Sequence, residues 1–234
     1  LKGDPVSKTS LLSTTIQTII LLSRMLDGPG FTPSNDLYGK KVFAFTDDID
    51  VINRLYFGML DAEGRNSLGL ADMARHPHGG LAHLRSPIPS RSRELYGQNW
   101  SAPTQIGHDL SERKNIGRTS SQDPGVIADN DVVVATASLE VGFNDPTVGA
   151  VIQHKAPRSV ASFLQRKGRA GRSRKMRPWT ILVLSDYGRD REAYQAYERL
   201  FDPELEIQAI PLDSKYIQHI QAVYSLIDYL GKNL

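Results

Sequence analysis

Apolar positions along the chain follow two different spacings, and their alternation predicts a sheet covered by helices. Short apolar runs at 41–46, 131–136, 148–153 and 179–185 are typical of buried strands, and 115–120 is a weaker strand candidate. Helical spacing predicts helices at 9–26, 49–59, 159–167, 189–201 and 215–230. Because strands that alternate with helices form parallel βαβ units, we expect an α/β fold with a mostly parallel central sheet.

The same pattern divides the chain into three parts. Residues 1–40 form an N-terminal helix and a connector rich in glycine and proline, 41–200 form the α/β domain, and 201–234 form a C-terminal helical extension. Residues 62–103 interrupt the domain with Gly, Pro, Ser, His and Arg and little apolar periodicity, so we expect an irregular insertion there. Because the first residue is Leu1 and not methionine, we expect an excised or processed part of a longer protein.

Composition narrows the functional classes. The absence of cysteine excludes disulfides and thiolate metal sites and fits a cytoplasmic location, and no run is long enough to suggest a membrane partner. The net charge is only +2, yet residues 155–177 carry nine basic residues and no acidic one, which leaves −7 on the rest. A bound polyanion explains this segment, but a solvated basic helix face explains the charge equally well.

The residues within this segment add chemistry to the charge. Residues 165–172 read QRKGRAGR, in which two glycines allow the backbone to turn sharply at the end of the predicted helix. Arg169 and Arg172 are three positions apart, so both guanidinium groups can reach one side. Their planar, forked donors suit phosphate oxygens, although surface salt bridges are the alternative.

This string resembles Q-x-x-G-R-x-G-R, motif VI of superfamily 2 helicases. The resemblance implies a RecA-like three-layer sandwich that serves as the second motor lobe. It further implies that Arg169 and Arg172 are arginine fingers, with Gln165 as a polar contact at the same ATP site. An arginine finger contributes a rate factor of roughly 10³–10⁵. The implied cofactors are ATP and Mg²⁺, and the implied partners are nucleic acid and a first RecA-like lobe.

A second string supports the same family. Residues 135–145 read ATASLEVGFND after the strongest predicted strand and resemble motif V, A-T-x-x-L-E-x-G-x-D. The resemblance implies that Thr136 contacts the nucleic-acid backbone, where a strand end offers a hydroxyl and an N–H. It places Glu140 and Gly142 on the nucleotide side. The aspartate of the pattern falls on Asn144, with Asp145 one position later, so either residue could hold that role.

Further candidates for nucleic-acid contacts lie at two other strand ends. Phe45 and Thr46 end the strand at the position of motif IV, although an ordinary core strand explains that run as well. Thr119 and Ser120 end the weaker strand, where hydroxyls can grip phosphates or form a plain polar turn. Such contacts read the backbone and not the bases, and we expect DNA as a partner in preference to RNA. Residues 153–194 are similar to large helicases of bacterial anti-phage defence islands of the DISARM type.

Other features keep alternative functions open. The chain contains neither a G-x-x-x-x-G-K-[ST] phosphate loop nor a D-E-x-H box, which in this family belong to the first lobe. We therefore expect the chain alone to hydrolyse ATP negligibly. A non-catalytic nucleic-acid-binding or protein-interaction module remains possible. A Rossmann-like enzyme is a further alternative, but it requires a glycine-rich turn where this chain has Asp47 and Asp48.

Two residue groups receive no functional role. The histidines at 76, 78 and 83 lie in the insertion, where solvated side chains are expected in preference to a metal site, and His108 is expected to pack or lie on the surface. Tyr187, Tyr194 and Tyr197 follow the last strand, and we expect them to pack on helices and not to form a base-stacking platform.

Overall fold

The described residues up to Asp202 fold around a parallel sheet of five strands. A computed structural model describes residues 8–28, 32, 34–77, 112–119, 129–136, 144–202 and 214–233. The strands are β1 (Lys41–Phe45), β2 (Ile116–Thr119), β3 (Val132–Ala135), β4 (Val148–His154) and β5 (Trp179–Val183). Every pair of neighbours is parallel, and the order across the sheet is β2-β3-β1-β4-β5. The predicted RecA-like α/β fold is confirmed.

The helices of the described chain fall between and beyond these strands. They are α1 (Lys8–Met25), α2 (Ile49–Ala62), α3 (Val160–Lys167), α4 (Gly188–Gln195), α5 (Glu198–Phe201) and α6 (Lys215–Asn233). Capping residues set two of the starts. Asp48 accepts a hydrogen bond from the N–H of Asp50 at the start of α2, and Ser159 accepts one from the N–H of Ser162 at the start of α3.

Alternate residues of the strands build a separate apolar cluster on each face of the sheet. Val42 and Ala44 point to the face covered by α1 and α2, and this cluster is the larger one. Phe43 and Phe45 point to the opposite face, where the cluster includes Ala170 from the turn after α3. The sheet therefore lies between two helical layers, and its central strands are buried on both sides, as their continuous apolar runs predict.

The predicted helix at 189–201 is two helices in the structure. The chain leaves the helical conformation at Ala196, where φ is −123° and ψ is 40°. The break allows α5 to turn its own apolar residues toward α3, since Leu200 is buried and the ring of Phe201 packs edge-on against Phe163 with centroids 5.7 Å apart. Packing between helices thus overrides the continuous helical spacing of the sequence.

A buried ion pair joins the two ends of the segment that contains the insertion. Arg24 on α1 donates two 2.7 Å hydrogen bonds to the carboxylate of Glu63, which follows α2. The same carboxylate accepts the backbone N–H of Lys114, just before β2. Arg65 adds hydrogen bonds to the carbonyl oxygen of Lys114 and to the side chain of Asn115. The chain therefore leaves the domain after Arg65 and rejoins it at Lys114 through one set of hydrogen bonds, here called the fixed base.

The chain divides into two compact units, residues 1–202 and residues 203–234, and the second unit contains α6. Tyr216, Ile220, Val223, Ile227 and Leu230 recur at spacings of four and three residues along this helix, and all are exposed. Across the described ranges, the helices fall short of the length and apolarity that a membrane crossing requires.

Candidate functional site

The turn that carries the two candidate arginines follows α3 and is fixed by glycine geometry. Gly171 has a φ of +74°, and a Cβ atom added there would lie 2.4 Å from the ring of Pro178. Its backbone N–H donates to the carbonyl oxygen of Val148 at 3.1 Å. Because Val148 is the first residue of β4, this hydrogen bond places the turn at the edge of the sheet where strands begin, here called the amino edge.

The structure brings one arginine of the turn to the motif V-like segment. Arg172 is exposed, and its Nη1 donates to Oδ1 of Asn144 at 3.0 Å. Arg169 is half-buried, and its backbone N–H donates to the carbonyl oxygen of Arg166. Gln165 lies on the exposed side of α3. The exposed side chains of Arg174, Lys175 and Arg177 follow Arg172, so the amino edge carries dense positive charge.

Asp145 is held by the protein itself. Its carboxylate accepts a 2.8 Å hydrogen bond from Nζ of Lys41 and further bonds from the N–H and hydroxyl of Thr147. Burial, the largest single influence, raises the pKa of Asp145, but the hydrogen bonds from Lys41 and Thr147 together outweigh it and leave the pKa lowered. Asp145 is therefore committed to joining β1 and β4, whereas its neighbour Asn144 is exposed beside Arg172.

Arg166 is a residue of the basic segment whose burial the sequence analysis did not predict. It is 1% exposed. Its Nη2 donates to Asp47 at 2.5 Å and its Nη1 to Oε1 of Gln153 at 2.8 Å, while the guanidinium lies 5.5 Å from the centre of the Phe45 ring. Spacing could have revealed it, because Phe163, Arg166 and Ala170 recur three and four positions apart on the buried side of α3 and its turn.

The candidates for nucleic-acid contacts lie at the opposite edge, where strands end, here called the carboxyl edge. Thr136 directly follows β3 and is half-buried. Thr46 is 2% exposed and Thr119 is 4% exposed, so each offers little side-chain surface. Phe45 is fully buried, and we correct the prediction that it contacts nucleic acid, because its ring packs beneath Arg166 in the core.

Three predicted site residues lie outside the described part of the chain. They are Ser120, Glu140 and Gly142. Of the histidines, those at 78, 83 and 108 also lie outside it, and His76 has its Nε2 3.3 Å from a carboxylate oxygen of Asp61. The rings of Tyr187, Tyr194 and Tyr197 are 61%, 59% and 56% exposed, so the expectation that they pack on helices is wrong.

The strand register gives the distance between the two edges. Thr136 follows Ala135, which pairs with Phe45, which in turn pairs with Gln153 near the end of β4. Arg172 follows the residue that is bonded to Val148, at the start of the same strand. With a rise of about 3.3 Å per residue, the length of β4 separates these levels by about 20 Å. Helix α3 and its turn connect them.

Comparison with known proteins shows that part of this chain is similar to helicases. Residues 114–174, from the start of β2 to the turn after α3, match the family described as the helicase conserved C-terminal domain. The ATP-dependent DNA helicase RecQ of Pasteurella multocida is 33% identical over 89 residues, which are 38% of this chain and 13% of that protein. A protein of Mycolicibacterium smegmatis described as Lhr helicase/probable uracil glycosylase is 64% identical over 39 residues, which are 17% of this chain and 3% of that protein.

The chain thus spans only a small part of the length of these relatives. Among solved structures, that of the DUF1998 helicase MrfA bound to DNA superposes with a TM-score of 0.48 and 17% sequence identity. The superposition covers 93% of this chain and 23% of that one.

Proposed function

We propose that this chain, whose residues 114–174 match the helicase conserved C-terminal domain, is the second motor lobe of an ATP-dependent nucleic-acid helicase or translocase of superfamily 2. In this proposal, Arg169 and Arg172 complete the site of an ATP molecule that a first lobe, elsewhere in the parent protein, binds together with Mg²⁺. Thr136 and the neighbouring strand ends contact the nucleic-acid backbone, with DNA the favoured partner. Bacterial anti-phage defence is the setting that the resemblance of residues 153–194 favours.

The hydrogen bond between Arg172 and Asn144 carries this proposal. It brings together the two segments that resemble motifs V and VI, which are separated by a complete strand in the sequence. The partner of Arg172 in this bond is a neutral amide and not a carboxylate, so the bond itself does not cancel its positive charge. Two exposed arginines and an exposed lysine follow it within five residues, and an anion is therefore the ligand that this segment favours.

The geometry also favours Asn144 over Asp145 as the residue of the motif V-like segment that faces the nucleotide. Asp145 is occupied by Lys41 and Thr147 and bears a carboxylate, which would repel a phosphate. Asn144 is exposed and adjacent to Arg172. Glu140 and Gly142 remain proposed members of the same site, with Gln165 on the exposed side of α3.

Steady-state ATPase assays on the full-length parent, with saturating single-stranded DNA, test the proposal. We expect Arg172→Ala and Arg169→Ala each to lower kcat by roughly 10³-fold or more, because an arginine finger stabilises charge that develops during phosphoryl transfer. Arg174→Ala is the matched control, since Arg174 is also exposed and lies two positions beyond the turn. We expect it to change kcat by no more than about twofold.

Equal turnover in wild type and Arg172→Ala would contradict the finger role. ATP hydrolysis by this chain alone, abolished by Arg169→Ala, would contradict the assignment of the phosphate-binding loop to another lobe. A non-catalytic binding module is the competing function. It predicts that the parent binds nucleic acid but that ATP alters neither the affinity nor the position of the protein on the strand, and a strand-displacement assay separates the two functions.

A further inference from the structure

The loop after β5 continues the carboxyl edge beyond the strands already considered. Val183, the last residue of β5, pairs with His154 at the end of β4. The ends of β4 and β5 are therefore level with the ends of β1 and β3. Tyr187 lies four residues past Val183, at the start of α4. Tyr187 therefore belongs to the same carboxyl edge as Thr136, but it follows the last strand of the sheet, three strand positions from β3.

Hydrogen bonds donated to one buried carboxylate hold this loop rigidly. Asp190 is 7% exposed, and its Oδ2 accepts the N–H and the hydroxyl of Ser185 at 2.9 and 2.6 Å. Its Oδ1 accepts the N–H of Ala156 at 2.8 Å, in the loop after β4. Arg189 returns a bond to the carbonyl oxygen of Ala156 at 3.1 Å. Asp190 thus joins the loop after β5 to the loop after β4 at Ala156, and it closes the loop around Tyr187 at Ser185.

Tyr187 is presented to solvent from this fixed loop. Its carbonyl oxygen accepts the backbone N–H groups of Asp190 and Arg191, which sets the backbone at the start of α4. The side chain makes no capping hydrogen bond to that helix, and the residue is 61% exposed. A large aromatic ring that is held open by a rigid backbone loses little conformational entropy when a flat ligand stacks on it.

The distance across the sheet fits a polymer that also reaches Thr136. Strand β5 is three positions from β3, so neighbouring strands about 4.8 Å apart place the two ends roughly 14 Å from each other. At about 3.4 Å per nucleotide along a stacked strand, this is the length of about four nucleotides. A single strand whose backbone contacts Thr136 therefore needs only a few nucleotides to reach the end of β5, from which the loop that carries Tyr187 begins.

Charge near the loop is nearly balanced, which determines how such a contact would work. Lys155, Arg158, Arg189 and Arg191 are opposed by Asp186, Asp190 and Glu192. The loop therefore supplies little net attraction for phosphates, and stacking on an aromatic ring is the interaction it offers. Stacking of a base on an aromatic side chain contributes about 1–3 kcal/mol and tolerates any base.

We propose that Tyr187 is a base-stacking residue for single-stranded nucleic acid at the end of the carboxyl edge. The inference rests on the proposed function, since it requires that this edge bind a nucleic-acid strand. It adds to that function a contact with a base, whereas Thr136 contacts the backbone. It also predicts that the lobe distinguishes a single strand from a duplex, because paired and stacked bases do not present a free face at this position.

Fluorescence anisotropy with a labelled oligothymidylate tests this inference on the complete chain. We expect Tyr187→Ala to raise Kd about 5- to 150-fold, the equivalent of losing one stacked base, and Tyr187→Phe to restore affinity to within about threefold of wild type. The slope of log Kd against log salt should be unchanged in Tyr187→Ala, because no ionic contact is lost. Tyr194→Ala is the matched control, since that ring is equally exposed but lies about two helical turns further along α4.

A second arm uses the wild-type chain with an oligonucleotide that lacks bases at its central positions. We expect this abasic strand to bind as weakly as the thymidylate binds to Tyr187→Ala. If the wild-type chain binds the thymidylate but Tyr187→Ala binds it equally well, or if the abasic strand binds as tightly as the thymidylate, the stacking role is overturned while the proposed function stands. If the wild-type chain binds neither strand, the stacking inference is overturned, and the ATPase assays on the full-length parent still decide the proposed function.

Discussion

The buried histidine at the end of β4 makes the stability of the chain depend on pH. His154 is 3% exposed, and its Nδ1 lies 2.7 Å from the hydroxyl of Thr15 on α1. Burial is the largest influence on the pKa of His154, the neighbouring charge of Lys155 acts in the same direction, and the net result is a pKa lowered from 6.5 to about 4. Asp190 and Asp48 act in the opposite direction but are outweighed. The imidazole is therefore neutral in the folded chain at neutral pH.

The size of the effect follows from this pKa. A tenfold change in a proton-binding constant corresponds to about 1.4 kcal/mol, so a pKa of about 4 in place of 6.5 corresponds to roughly 3 kcal/mol. Between these two values the unfolded chain binds a proton that the folded chain excludes. The free energy of unfolding therefore falls as the pH falls through this window, by about 2 kcal/mol at pH 5 and by the full amount below pH 4.

Urea unfolding followed by far-ultraviolet circular dichroism at about pH 7.5 and about pH 5 measures the effect. We expect the loss of unfolding free energy between these conditions to be smaller by about 2 kcal/mol in His154→Gln than in wild type, because glutamine does not titrate. His219→Gln, at an exposed position of α6, is the control and should lose as much as wild type. An equal loss in wild type and His154→Gln would refute the reasoning, whatever the stability of the variant at neutral pH.

Two further predictions concern the stability of named contacts. Gly171→Ala should lower the free energy of unfolding by about 1–3 kcal/mol and reduce ATPase activity of the parent, since positive φ and a 2.4 Å approach to a proline ring both oppose a Cβ atom. Gly69→Ala, with a φ of +78° but open space around it, should cost about 1 kcal/mol and leave activity unchanged, and equal costs would contradict the steric argument. Glu63→Ala should cost about 3–5 kcal/mol in urea unfolding, because Arg24 is left charged and buried, whereas Asp50→Ala in an exposed ion pair should cost no more than about 0.5 kcal/mol. If Glu63→Ala and Asp50→Ala lower the free energy of unfolding by similar amounts, the buried ion pair is not the origin of the stabilisation.

Much of the fold could be predicted because local residue pattern determines it. The strands of the central sheet are short apolar runs that must be buried on both faces, and Ser159 and Asp48 cap helices through bonds to residues two or three positions away. The pairing of Arg172 with Asn144 lies beyond such local rules. The resemblance of two separate strings to one family implies only that both contribute to one ATP site, and it does not predict which residues pair.

The errors arise where distant residues decide the environment of a side chain. Arg166 lies in the most basic segment of the chain, yet it is buried because Asp47, 119 positions away, and Gln153 offer it oxygen atoms. The carboxylate of Asp145 is likewise held by a hydrogen bond from Lys41, 104 positions away. The tyrosines after β5 present the opposite case. Their helical spacing suggests packing, but the break at Ala196 and the bonds of Asp190 leave them exposed.

The fixed base near Glu63 and Arg65 has a consequence for how this lobe can diverge. Because hydrogen bonds join Glu63 and Arg65 directly to Lys114, the length of the sequence between residues 65 and 114 can change without displacing the five strands. Closing a flexible loop of twice the length costs only about 0.6 kcal/mol. A segment of different length and sequence can therefore replace the one between residues 65 and 114, and provide a new surface, while the neighbouring strands stay in register.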